Sequence, residues 1–216
     1  MAYTHYWYRK AEISRKAMQA IAADFSKIVL ALDDLGIRLG DMRGHGAPVI
    51  TADLIGFNGL AACGHPKLAA QGVMAGKGSV GSSLYTVGQL APRVCGGDCS
   101  YESFYFPRVW HPEWKKREPE MRREGLYLAY CGTAFRPYDL AVTAFLVIAK
   151  HHLGEEIRVS SDGQDQCWED AKRLCFLHLG YGLEYAIREV KKDDWQLALR
   201  PKPSAGVRRW WENHVQ

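Results

Sequence analysis

The sequence has no long hydrophobic run. Its longest apolar stretch, Leu140 to Ala149, is interrupted by Thr143, and it covers only about half of the roughly 20 residues that a membrane-spanning helix needs. A membrane partner is therefore not expected. Net charge is also small. Lys and Arg number 28 against 24 Asp and Glu, leaving +4, too slight a surplus to imply nucleic acid by itself. The first residues, MAYTHYWYRK, lack the apolar core of a secretory signal, so a cytoplasmic location is the expectation. In that compartment the six cysteines read as thiols or metal ligands before disulfides. No motif is specific enough to name a reaction. Gly76-Lys-Gly78-Ser-Val-Gly81 matches GxGxxG but lacks the preceding strand and following helix that a dinucleotide site requires. Nor is it a P-loop, because Gly78 stands where Ser or Thr must reach magnesium.

What is present fits one sizeable core. The chain has 216 residues, 47% hydrophobic and 24% charged, ordinary proportions for a globular domain. It is organised around Cys131 to Gly163, CGTAFRPYDLAVTAFLVIAKHHLGEEIRVSSDG. Pro137 suits a first helical turn, where its missing N–H costs nothing. The apolar run then covers every face of a helix, and Gly154 suits its exit. A strand at 126–131 leads in and a strand beginning at Ile157 leads out. Polar residues gather at the junctions: Thr133, Arg136, Tyr138 and Asp139 before the helix, Ser160, Ser161 and Asp162 after the second strand.

Elsewhere the pattern is regular. Residues 3–9 are aromatic enough for a strand, and aromatics on both faces argue for a central one. His5 reads as a hydrogen-bonded core histidine. Ser14 is an N-cap with Ile13 and Met18 as a staple, and Ile21, Phe25, Ile28, Leu32 and Leu35 form one helical stripe ended by Gly36. Residues 40–48 form a turn-rich loop. Leu54 to Phe57 is a short strand, closed by the turn signal Asn58-Gly59. A strand is expected within 101–109 and a solvated charged excursion over 111–125. Trp168 to Leu179 is amphipathic, and helix is expected to resume from Tyr185 to Val190.

Residues 61–100 are rich in Gly, Ala and Ser and read as a surface insertion. Offering little core, it is expected to tolerate removal by a direct join of His65 to Glu102. At its two ends lie Cys63-Gly-His65 and Cys95-Gly-Gly-Asp-Cys99. Three thiols and an imidazole could close a tetrahedral zinc site. CxH and CxxxC are not zinc-finger spacings, so free thiols and no cofactor come first, with zinc as the alternative.

THYW at the start, FNG at 57–59, ESF at 102–104, YCGTAFRPYDLAV, KHHLG and VSSDG together resemble an uncharacterised family of phage and bacterial proteins. Its members begin GYTHYW and carry FNG, GHETF, FCKTARKPYD and KHH-G-VSSDG. The resemblance covers most of the chain outside the insertion and implies a phage or prophage context, with no known activity. Here GHETF is split around the insertion, Gly132 replaces the first lysine of CKTARK, and Arg136 keeps its final basic charge.

The fold expected is α+β: an antiparallel or mixed sheet of about five strands with helices on one face. Residues 1–199 form one domain containing the insertion, and 200–216 a basic, aromatic arm with Arg208, Arg209, Trp210 and Trp211. Three functions stay open. In a binding module, Arg136, Tyr138, Asp139 and the helix N-terminus would hold an anionic small molecule such as a nucleotide, with Asn58, Glu102, Ser160, Ser161 and Asp162 completing the wall. A phosphoester hydrolase would use Glu102, Asp139 or Asp162 with His5 or His65. A virion component or inhibitor would meet a host protein through the arm and the charged loop.

Overall fold

The computed structural model describes residues 3–65, 93–95, 97–110, 122–189 and 197–201. The glycine motif at 76–81, most of the charged excursion and the arm from 202 onward lie outside the described residues. In chain order the elements are β1 (Thr4–Arg9), α1 (Arg15–Asp34), β2 (Leu39–Gly40), β3 (Val49–Ile50), β4 (Leu54–Gly59), β5 (Phe104–Pro107), β6 (Arg122–Arg123) and β7 (Leu126–Gly132). Then come α2 (Asp139–Leu153), β8 (Ile157–Ser161), α3 (Glu169–Leu179), β9 (Tyr185–Glu189) and β10 (Leu197–Pro201).

The fold is α+β with antiparallel pairing. A six-stranded sheet runs β6-β7-β1-β8-β10-β9, and β4 organises a four-stranded one with β2, β3 and β5. This is more strand than the five or so expected, because β2, β3 and β6 are two-residue pairings too short to leave a periodic signal. β1 is central, flanked by β7 and β8. Its alternation puts His5, Trp7 and Arg9 in the core and leaves Thr4, Tyr6 and Tyr8 half-buried on the other face.

α1 is the expected amphipathic helix. The Ser14 hydroxyl accepts the Ala17 N–H at 3.2 Å, Met18, Ile21, Phe25, Ile28 and Leu32 are buried, and Gly36 ends it at φ +76°. α2 is the core of the molecule, buried from Asp139 through Lys150. Its Phe145 meets Phe25 of α1 and Phe104 and Phe106 of β5 edge-on, at 4.8–5.2 Å. Trp7 lies 5.1 Å from Phe104, so one aromatic cluster joins both sheets to the helices. Full burial is worth about 1.5–3 kcal/mol per phenylalanine, against roughly 1 for a hydrogen bond, so each ring of this cluster outweighs a typical hydrogen bond in the core.

Two local expectations differ from the structure. Residues 185–189 are strand β9, not helix. Gly180 and Gly182 both take positive φ, which breaks the helix, and the segment then pairs along its length with β10. Asn58 and Gly59 continue β4 as strand, because the Asn58 amide bonds the Tyr101 backbone instead of closing a turn. Among the described residues no helix is long and apolar enough to cross a membrane.

Candidate functional site

The end of β4 and the approach to β5 bring the two halves of the cysteine motif together. Gly59 is what permits this. A Cβ there would stand 2.0 Å from the Cys99 carbonyl oxygen, so only glycine lets the two backbones lie this close, and the Cys99 N–H donates to the Leu60 carbonyl at 3.0 Å. Cys63, Cys95 and Cys99 are buried and His65 half-buried, and the ligand atoms of all four lie within 4.8 Å of one another. Cys63 Sγ is 3.4 Å from Cys95 Sγ, Cys99 Sγ 3.2 Å from Cys95 Sγ, and His65 Nδ1 3.3 Å from Cys99 Sγ. All three thiols are free of disulfides. Sulfurs bound at about 2.3 Å to one tetrahedral zinc stand roughly 3.8 Å apart, so a small local expansion would seat an ion. These four residues could hold a metal ion.

Their surroundings match that chemistry. Burial pushes the Cys95 thiol up against hydrogen bonds from Cys99 and the Gly97 N–H. Burial with the Cys95 and Cys63 sulfurs pushes Cys99 up. At Cys63 burial is outweighed by hydrogen bonds, which draw that thiol down. A dication would remove the opposition at Cys95 and Cys99. Three thiolates around Zn²⁺ would leave a net charge of about −1, and donors lie along the same loops. The Gly97 N–H points at Cys95 Sγ, 3.3 Å away. Arg38 donates to the Cys63 carbonyl at 3.4 Å and Arg136 to the Asp98 carbonyl at 3.0 Å.

A second polar cluster lies inside the core. Asp139, at the start of α2, accepts from His5 Nε2 at 2.7 Å and the Thr133 hydroxyl at 2.6 Å on one oxygen, and from Arg93 Nε at 2.7 Å on the other. Arg93 also reaches Asp170 of α3 at 3.3 Å and the Cys167 carbonyl at 3.2 Å. His5 Nδ1 faces Ser161 Oγ at 3.0 Å, and Ser161 Oγ accepts the Gly163 N–H at 3.1 Å. Burial alone would raise the Asp139 pKa. Arg93 and His5 outweigh it and hold the carboxyl at about 2. Over the cluster, Phe135 stacks on Tyr3 at 3.7 Å. Ala134 and Phe135 adopt left-handed backbone, φ 47° and 52°, a strained conformation for non-glycine residues.

The expected site residues do not form one wall. The Asn58 side chain is consumed by the backbone of Gly59 and Tyr101. Tyr138 is fully buried, its hydroxyl donating toward the Glu102 and Gly132 carbonyls. Asp139 and Ser161 belong to the core cluster, and Ser160 is buried. Glu102 accepts the Gly132 N–H and Asp162 the Thr4 N–H. Both approach Tyr6, whose hydroxyl burial and Asp162 push up. Arg136 turns toward the loop between Cys95 and Cys99, donating to the Asp98 carbonyl. The first N–H groups of α2 bond the carbonyls of Arg136, Pro137 and Tyr138.

The end of the insertion also differs from the surface loop expected: Arg93, Cys95 and Cys99 are buried. Arg93 was missed by sequence reasoning. The signal for it was indirect, because an acid at the start of an all-apolar helix demands a buried cation.

What these elements define is an α+β protein with a candidate metal centre beside a buried ionic core. No family model, no curated protein and no solved structure matches the chain.

Proposed function

We propose that this is a zinc-stapled binding protein, in which Cys63, His65, Cys95 and Cys99 hold one structural Zn²⁺. The observation that carries the reading is the convergence of three sulfurs and an imidazole nitrogen within 4.8 Å. With four protein ligands the coordination is closed, which is the arrangement of structural sites. A catalytic zinc keeps one position for water or substrate. The metal would fix the base from which residues 66–92 depart. That segment contains Lys67 and Lys77 and neither Asp nor Glu, and Arg38 and Arg43 are exposed near the same corner. This charge favours an anionic ligand or an acidic surface of a partner protein, and the phage context implied by the motif resemblance would make that partner a host molecule. Elemental analysis and native mass spectrometry test the reading. One zinc per chain, lost in Cys95→Ser, is expected, and a chain purified without chelator that binds none overturns it.

The hydrogen-bonded line Ser161–His5–Asp139 favours a second reading as a hydrolase with Ser161 as nucleophile. Against it, Ser161 is 4% exposed and His5 fully buried. Labelling of Ser161 by a fluorophosphonate probe, abolished in His5→Ala, would support it.

A further inference from the structure

The candidate metal centre and the ionic core are tied by one short piece of chain. Arg93 precedes the ligand Cys95 by two residues, too few for the two to move independently. Between them, Val94 donates its N–H to the Phe135 carbonyl at 2.8 Å. Beyond Cys95, the Asp98 carbonyl takes Arg136. The segment is therefore clamped along the strained turn that leads into α2. From it the Arg93 guanidinium, 2% exposed, spans Asp139 at the start of α2 and Asp170 in α3. Both carboxylates are fully buried. A buried pair deprived of its cation is strongly destabilised, because neither charge regains water.

We infer that metal occupancy at Cys63, His65, Cys95 and Cys99 delivers Arg93 into the core, so that the ion controls the order of the Asp139–Asp170 cluster and, through Asp139, the setting of His5. This rests on the metal reading above. The chemistry is simple. The metal fixes the backbone at Cys95 and Cys99. Fixing the backbone removes the entropy that Arg93 would otherwise lose on reaching inward, and its ion pairs then form without that cost. Released from the metal, the segment gains freedom, and two buried acids compete for a tethered but wandering cation. Linkage makes the effect reciprocal: whatever factor the metal contributes to Arg93 insertion, Arg93 contributes to metal affinity.

The experiment compares the full chain loaded with zinc and the same chain treated with chelator, by hydrogen exchange at peptide resolution. Chelation is expected to accelerate exchange at 133–141 and 165–175 by at least about tenfold while α1, at 18–32, stays protected. In parallel, Arg93→Met is expected to weaken zinc binding, read by competition with a chromophoric chelator, by roughly 5–150-fold. Should that variant not fold, Arg93→Lys, which keeps the charge and loses the fork, is expected to weaken it in the same direction. Zinc binding with unchanged exchange in the two segments overturns the coupling and leaves the metal reading standing. So does global unfolding on chelation, with α1 exchanging as fast. A chain that binds no zinc overturns both.

Discussion

The cluster of Cys63, His65, Cys95 and Cys99 and the cluster of His5, Arg93, Asp139 and Asp170 are both assembled from residues far apart in sequence, yet their atoms are arranged in opposite ways. In the core cluster donors and acceptors alternate. Imidazole, hydroxyl and guanidinium donors meet carboxylate oxygens at 2.6–3.3 Å, so the protein completes the chemistry with its own groups. In the corner cluster three sulfurs face one another at 3.2–3.4 Å, and sulfur is a weak donor and a weak acceptor. Alternation marks a structural network, and convergence of like atoms marks a place that could hold a cation. The hydrogen-bonded Ser–His–Asp line belongs to the first kind, and its burial argues for a positional role.

That contrast is broken most severely by excising the insertion. Joining His65 to Glu102 removes Arg93 together with Cys95 and Cys99, and the product is expected to lose its cooperative melt in calorimetry. Replacing only 67–91 by a short Gly-Ser linker keeps Arg93 and all four ligands and is expected to melt cooperatively with zinc bound. A stable His65–Glu102 fusion would show that neither Arg93 nor the cysteines Cys95 and Cys99 are needed for the fold.

Next in size is Asp139→Ala. It leaves Arg93 and His5 facing an apolar gap, and urea unfolding should show a loss of about 3–5 kcal/mol, the scale for breaking a buried pair. A loss below about 1 kcal/mol would mean that the cluster is as dispensable as a surface pair.

The same carboxyl predicts a pH dependence. Its pKa falls from 3.8 to about 2 on folding. A depressed acid stabilises the fold above its unfolded value and loses that contribution as pH drops through the folded value. About 2 kcal/mol should therefore disappear between roughly pH 4 and pH 2. Asp139→Asn should flatten that limb of the stability curve, and an unchanged limb would assign acid unfolding to other groups.

The smallest effect on stability is expected at Arg136→Ala. The side chain is half-buried and its hydrogen bond among the described residues is to a backbone carbonyl, so unfolding free energy should change by less than about 1 kcal/mol. Zinc affinity should fall severalfold, because Arg136 steadies the backbone at Asp98 beside Cys99 and bonds no candidate ligand itself. Unchanged affinity would detach Arg136 from the metal centre.

Much of the fold was legible in local pattern. The stripe of α1, the all-round apolar run of α2 and the alternation of β1 each leave a period that burial requires, and all three elements stand where the sequence placed them. The two-residue strands β2, β3 and β6 were not legible, because two residues carry no period. β9, Tyr-Ala-Ile-Arg-Glu, was misread as helix, because five residues of mixed character fit either period and only pairing with β10 decides. Of the site, the four candidate metal ligands were visible as residue types at odd spacings. Their convergence was not, since it depends on Gly59 admitting the Cys99 backbone.

The sequence by itself determined the buried faces of β1, α1 and α2 and that the metal-ligating residue types flank a Gly-rich stretch, because periodicity and composition are properties of neighbours along the chain. Only the tertiary structure decided what the polar residues do. It sent Arg136 to the Asp98 carbonyl in the loop between Cys95 and Cys99. It tied the helix N-terminus into its own turn, and it brought Arg93 to Asp139 and Asp170. The reason is physical: a buried charge chooses its partner through space, after the apolar packing has fixed which backbones can approach, and no spacing along the chain records that choice.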